Sequence, residues 1–310
     1  MNRKRWLALL LFLLVLVGLA LLGRALPGRE KGPWREATVF GAGEKVVLLE
    51  LKGSIPTGKT LEDLLAQIRQ AREDGSVRAA VLFVESPGGG VTETEALYRA
   101  LKVLSSEKPL VAAFGSVAAS GGYYAALAAR EIFTPPTAVT GSIGVISVMP
   151  EVGGLLEKLG VRVEVLKEGA LKDMASGLKP LSPEERAVLQ GFLKEAYELF
   201  LSRVAEGRGL PLGEVRRLAD GRIYSGKQAV ALGLADREGY LEDAARRAAE
   251  LAGLEGFRLV RYEKPRGLLE GLLGEEVFGL QAKGEVEALL EALRGPGLRL
   301  EYRYLGGGLW

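Results

Sequence analysis

An α/β domain built on a mostly parallel sheet, carried behind an N-terminal transmembrane helix, is the architecture this sequence predicts. Three observations lead there. The short apolar runs Val46–Leu51, Ala79–Val84 and Leu110–Phe114 alternate with stretches of helical periodicity about a dozen residues long. That alternation favours parallel strands joined by right-handed crossovers. An uncharged apolar run, Trp6–Leu22, follows a basic tip of Arg3, Lys4 and Arg5, and no internal repeat or low-complexity tract interrupts the remainder.

The elements follow in chain order. As a helix, Trp6–Leu22 spans about 25 Å at ~1.5 Å per residue, the short end of a bilayer crossing. A cleaved signal peptide is the competing reading, with Gly23-Arg24-Ala25 as a passable small-x-small site. The run exceeds the ~7–15 residues usual for the centre of such a peptide, which favours a retained anchor. Arg24, Arg29, Lys31 and Arg35 dilute the charge asymmetry, but the denser cluster at the tip places the N-terminus inside and the bulk outside the cytoplasm. Residues 1–23 are therefore the tip and anchor. Residues 24–43, rich in Gly, Pro and charge, read as a linker.

Residues 44–262 form the main domain. Leu61, Leu64, Leu65 and Ile68 recur at helical spacing, residues 91–106 form a second helix, and another starts after Ser120. Ser182-Pro183-Glu184-Glu185 opens a long helix reaching about Arg208, with an N-cap, Pro at N1 and an acidic first turn. Glu238–Leu251 is a further amphipathic helix. Residues 263–310 are a helical and tail extension: Leu268, Leu269, Leu272 and Leu273 make an apolar face suited to packing on a neighbour. Residues 298–304 alternate like an edge strand and lead into an apolar, glycine-rich tail that fits an active-site groove.

Composition narrows the chemistry. The 310 residues include no histidine and no cysteine. There is no imidazole base, no Ser-His-Asp triad, no thiolate nucleophile and no disulfide, and a zinc site would have to be all-carboxylate, which is rare. No metal or other cofactor is expected. With 41 basic against 39 acidic residues, net +2, nothing points to nucleic acid. Hydrolytic chemistry would have to run on hydroxyls, carboxylates or lysines.

Three Gly/Ser clusters follow predicted strands. Glu85-Ser86-Pro87-Gly88-Gly89-Gly90-Val91 lies between a strand and a helix, where turned-out backbone N–H groups bind anions or an oxyanion; a plain strand-to-helix turn reads equally well. Gly115-Ser116-Val117-Ala118-Ala119-Ser120-Gly121-Gly122-Tyr123-Tyr124 surrounds Ser120 with small residues, as a nucleophile at a strand-to-helix turn requires. A tightly packed helix start would look the same. Val139-Thr140-Gly141-Ser142-Ile143-Gly144-Val145 is a polar-lined strand or a tight turn. A serine nucleophile needs a base, and a desolvated lysine can serve. Lys167, Lys172 and Lys179 surround a glycine-bearing loop, and composition alone does not choose among them.

Together these segments resemble the signal peptide peptidase A family of membrane-anchored serine proteases, over residues 44 to 262. The likeness is carried by the three clusters above, by residues 167–174 (Lys-Glu-Gly-Ala-Leu-Lys-Asp-Met), and by residues 220–226 and 232–236. It implies the ClpP/crotonase-like α/β fold and a Ser-Lys dyad: Ser120 as nucleophile and Lys172, the lysine before Asp173, as general base. It further implies oxyanion N–H groups at Gly89 and Gly121, and Ser142 as a hydroxyl that orients the lysine. Apolar peptides such as signal-peptide remnants, a homo-oligomeric ring, and a single-pass cell-membrane location with the catalytic domain on the extracytoplasmic side come with it. Alternatives remain beside it: a Ser-Lys protease of other membrane-protein remnants, as in the stomatin-associated relatives; a crotonase-type acyl-CoA enzyme; and a catalytically silent membrane scaffold.

Overall fold

The computed structural model describes residues 34–264 and 300–304. The apolar run Trp6–Leu22 and the leucine face at 268–273 lie outside the described residues. Among the described residues no helix is long and apolar enough to cross a membrane.

The chain enters through β1 (Arg35–Gly41) and β2 (Glu44–Lys52), then α1 (Gly58–Glu73), β3 (Val77–Ser86), β4 (Gly88–Gly90) and α2 (Val91–Glu107). Next come β5 (Leu110–Ala119), α3 (Gly121–Ala126), β6 (Glu131–Thr134), β7 (Val139–Gly141) and α4 (Gly153–Lys158). After them follow α5 (Pro183–Arg208), α6 (Leu212–Leu218), β8 (Ile223–Ser225), α7 (Gly226–Ala231), β9 (Arg237–Glu238), α8 (Leu241–Leu251), β10 (Phe257–Glu263) and β11 (Glu301–Arg303). The main sheet runs β1-β10-β2-β3-β5-β6-β9, with β7 pairing β5 and β8. Its interior pairs, β10 to β2, β2 to β3, β3 to β5 and β5 to β6, are parallel. This is a mixed α/β fold with a mostly parallel sheet and crossover helices, and it fits a ClpP-like architecture.

The three apolar runs are β2, β3 and β5, and they are apolar throughout because the sheet is covered on both faces. Val47, Leu49, Leu51, Ala80, Leu82, Leu110 and Ala112 face one core, shared with Leu64 and Ile68 of α1, Leu97 and Leu101 of α2, and Phe200 and Val204 of α5. The alternate positions Val46, Leu48, Ala79, Val81, Val111 and Ala113 face the other, closed by Ala244, Ala245, Ala248 and Ala249 of α8. The period-two alternation of a strand thus serves two buried faces. Helix α5 begins as its sequence dictates. The Ser182 hydroxyl accepts from Glu185 N at 3.1 Å, the Glu185 carboxylate accepts from Ser182 N at 2.8 Å, and Pro183 stands at N1.

One expectation is corrected. Part of the segment read as a linker, 24–43, is the strand β1, paired antiparallel with β10 from Arg35 opposite Glu263 to Gly41 opposite Arg258. Its charges and modest burial belong to a sheet edge, where such residues discourage further pairing, so they resemble a linker when read one residue at a time.

Candidate active site

Two strand ends and one turn build the site, at the carboxyl ends of β3 and β5 where open α/β sheets receive ligands. Ser120 follows β5 and precedes α3. Its φ of 53° and ψ of −116° lie where an L-residue pays roughly 1–3 kcal/mol in strain. Neighbours hold it there: Ser120 N donates to the Gly141 carbonyl at 2.8 Å, and the Ser120 carbonyl accepts from Tyr124 N at 2.9 Å. Ser142 is the next strained residue, with φ 49°, and its N–H donates to the Arg222 carbonyl at 2.8 Å. Ser120 and Ser142 line one cavity of about 390 Å³ with Gly144, Val145, Arg303 and Tyr304. Both serines are buried, Ser120 almost completely.

Across the turn lie the three glycines of β4. Gly88 has φ +99°, and a Cβ there would stand 1.9 Å from the Tyr302 carbonyl oxygen and 2.7 Å from Gly121 N. Only glycine leaves that space open. Strand β11 runs antiparallel to β4 with Tyr302 opposite Gly89. Val91 N donates to the Leu300 carbonyl at 3.1 Å and Tyr304 N to the Pro87 carbonyl at 2.8 Å. These bonds lie two residues to either side, so ladder alternation makes Tyr302 and Gly89 a hydrogen-bonded pair. The Gly89 N–H therefore faces the Tyr302 carbonyl, and Gly121 N, the first backbone donor of α3, stands beside it. A pair of donors around one peptide carbonyl is the geometry that stabilises an oxyanion.

Of the five residues singled out from sequence, the fold gathers four: Ser120, Gly89, Gly121 and Ser142. Lys172 lies apart. It sits in the lobe between β7 and α5, is exposed, and does not line the Ser120 cavity. Among the described residues its amine makes no hydrogen bond or ion pair, whereas the other two lysines of the loop are engaged. Lys167 bonds Asp173 at 2.6 Å, and Lys179 bonds Glu185 at 2.7 Å and approaches Asp173 at 3.4 Å. The Lys167 amine, with Lys179 behind it, holds the Asp173 carboxyl below the ordinary range.

Sequence reading missed the aromatic floor. Tyr124 stacks on Tyr302 with centroids 5.2 Å apart, and Phe200 packs on both rings. The Tyr124 hydroxyl donates to Glu95, whose carboxylate also accepts from Arg203 at 2.8 Å and Arg99 at 2.7 Å. Burial pushes the Glu95 carboxyl up, but these donors outweigh it and its pKa lies below the ordinary carboxylate value. The tyrosine pair after Gly121 and Gly122 was the available signal. Its partners on α2 and α5 are too distant in sequence to be read from it. Among the described residues no group of three His, Cys, Asp or Glu is placed to hold a metal.

A strained serine at a strand-to-helix turn, facing a peptide strand on the carboxyl edge of a ClpP-like sheet, defines an α/β serine peptidase. Residues 102–255 match peptidase family S49. The chain is 39% identical to a Synechocystis sp. protein provisionally named a protease, over 81% of this chain and 90% of that one. It is 35% identical to an Enterococcus faecium protein provisionally named signal peptide peptidase SppA, over 89% of this chain and 90% of that one. Identity to the chloroplastic serine protease SPPA of Arabidopsis thaliana is 32%, over 77% of this chain and 38% of the plant protein. The chain belongs to peptidase family S49, with the SppA proteases, and is a serine peptidase.

Proposed function

We propose that this peptidase is a membrane-anchored endopeptidase that degrades cleaved signal peptides by a Ser-Lys dyad. The observation that carries the reading is the placement of strained Ser120 beside Gly89 and Gly121, whose backbone nitrogens surround a single peptide carbonyl. Ser120 Oγ attacks the carbonyl carbon while neutral Lys172 accepts the hydroxyl proton. The Gly89 and Gly121 N–H groups hold the tetrahedral oxyanion, and Ser142 orients the amine. Lys172 then protonates the leaving amine, and the ester on Ser120 is hydrolysed by a water that gives its proton to the same lysine.

The Lys172 lobe supports an assembled enzyme. It exposes Leu159, Val161, Val163, Val165 and Leu166, an apolar set that a lone chain leaves in water. In a homo-oligomeric ring this face packs on a neighbouring copy, and the assembly brings a Lys172 to each Ser120. The apolar run Trp6–Leu22 anchors the chain in the cell membrane, with the catalytic domain on the extracytoplasmic side, where signal-peptide remnants remain in or near the bilayer.

The test is covalent labelling of the full chain with a fluorophosphonate, together with turnover of a defined signal peptide. Labelling at Ser120, with turnover lost in a folded Lys172→Ala variant, is the expected result. Robust turnover by that variant would remove Lys172 from the mechanism. Coenzyme A binding without labelling would favour crotonase-type chemistry.

A further inference from the structure

Strand β5 changes register against β3 shortly before it reaches Ser120. Phe114 stands opposite Val84 and Ala118 opposite Ser86, so Gly115, Ser116 and Val117 all lie across from the single residue Glu85. This is a bulge with two extra residues on the β5 side. Such bulges interrupt a ladder and re-aim the residues that follow. At ~3.3 Å per residue, an uninterrupted ladder would carry Ser120 roughly 7 Å further along, past the glycines of β4. The bulge therefore decides that Ser120 is the residue standing beside Gly89 and Gly121.

The Glu85 side chain fills the gap in the ladder. Its carboxylate accepts from Ser116 N at 2.7 Å through Oε2 and from Val117 N at 3.2 Å through Oε1. Hydrogen bonds to an ionised acceptor are the stronger kind, and here one carboxylate serves two donors in place of backbone carbonyls. Gly115 is matched to it: a Cβ there would stand 1.9 Å from Glu85 Oε2 and 2.9 Å from Cδ. The carboxylate thus occupies the space that a side chain at position 115 would need. On its other edge the Glu85 carbonyl accepts from Gly53 N at 2.9 Å, which fixes the backbone from which the side chain extends.

Beyond the bulge the links to the site are short and buried. Ala118 pairs with Ser86 on one side and with Thr140 on the other, and the Thr140 hydroxyl donates to the Ala118 carbonyl at 2.7 Å. The Ser86 hydroxyl accepts from Gly88 N at 3.1 Å. The Ser86–Ala118 pair thus joins the strand of the oxyanion glycines to the strand of the serine, two residues before each reaches the site. We infer that Glu85 is a positioning residue of the peptidase: by holding the β5 bulge with its carboxylate, it sets the register that brings Ser120 beside the Gly89 and Gly121 N–H groups. The inference rests on Ser120 being the nucleophile. Glu85 does not line the Ser120 cavity, and it acts through the backbone of residues 116–120.

Variants of the full chain test this from both sides of the contact. Glu85→Gln keeps the shape of the side chain but sets an amide donor against one of the two backbone donors. Its rate of fluorophosphonate labelling at Ser120, and its kcat for a defined peptide, should each fall at least about tenfold, with KM within about twofold of wild type. Gly115→Ala displaces the carboxylate from the opposite side and should lower both rates by a similar factor. In Glu85→Ala that clash is gone, so adding Gly115→Ala should leave the rates within about twofold of Glu85→Ala alone. Circular dichroism on the same samples gives the folded fraction by which the rates are normalised. Folded Glu85→Gln chains that label and turn over at wild-type rates overturn the inference and leave Glu85 a brace of the sheet alone. A raised KM with unchanged kcat, or fully additive losses on combining Glu85→Ala with Gly115→Ala, overturns it as well. Wild-type chains unlabelled at Ser120 refute the nucleophile itself, and the positioning role falls with it.

Discussion

Arg203 of α5 holds Glu95 of α2 across 2.8 Å, and the Tyr124 hydroxyl donates to the same carboxylate. One carboxylate thereby ties two helices to the aromatic wall beside Ser120. Both partners are mostly buried, so the pair is weakly screened, and its loss leaves the Arg203 guanidinium with only the longer contact to Glu206 at 3.3 Å.

Glu95→Gln should therefore lower unfolding free energy by about 2 kcal/mol and raise KM for peptide substrates more than it lowers kcat. Denaturant unfolding and steady-state kinetics on the same sample check the two effects. Unchanged KM would mean that the pair braces the helices without shaping the pocket.

Gly88→Ala should disable the enzyme, with any disturbance of the backbone confined to the β4–β11 pairing. The added methyl would sit 1.9 Å from the Tyr302 carbonyl oxygen and 2.7 Å from Gly121 N, so a peptide carbonyl placed between the Gly89 and Gly121 N–H groups has to shift by more than an ångström. A shift of that size costs on the order of 100-fold in kcat/KM. Circular dichroism should remain native while peptide turnover falls by at least that factor.

Asp236→Asn addresses the far side of the domain. Arg208 is nearly buried and reaches both Asp236 oxygens at 2.8 and 2.9 Å, and the same carboxylate accepts from Ile132 N at 2.7 Å. Replacing it leaves the guanidinium facing a neutral amide, which should cost about 3 kcal/mol. The Asp236→Asn chain should show that loss in a denaturant titration, and a loss below about 1 kcal/mol would contradict it.

Acid should weaken the fold through Asp74. Burial raises this carboxyl, but the Lys45 amine at 2.9 Å and the Ser76 donors bring it down to about 2. A depressed carboxylate stabilises the native state fully above its unfolded pKa, and that contribution fades as pH falls through the folded value. The window therefore runs from about pH 4 down to about 2. Asp74→Asn should be less stable than wild type by about 1–2 kcal/mol at pH 7, and the difference should shrink across that window. A constant difference from pH 7 to pH 2 would refute the linkage.

Much of this architecture was legible in the sequence because it rests on local patterns. The apolar runs of β2, β3 and β5, the helices between them, and the capping box at Ser182 follow from spacing and residue type within a few positions. The site was legible in part for the same reason. Ser120, Gly89 and Gly121 lie in short Gly/Ser clusters at strand ends, where backbone conformation constrains the residues that fit. The edge strand β1 was not legible, because its role is set by β10, more than two hundred positions later.

By itself the sequence determined the chemistry open to this protein. With no histidine or cysteine, a hydrolase of this kind must use hydroxyl, carboxylate or amine groups, and those are properties of composition. Tertiary structure alone decided what surrounds the serine. It set Tyr302 opposite Gly89, stacked Tyr124 and Phe200 around the Tyr302 ring, and left Lys172 on an exposed lobe away from the cavity. Those relations join residues of β4, α3, α5 and β11 through sheet register and helix packing, and neither can be read from spacing along one chain.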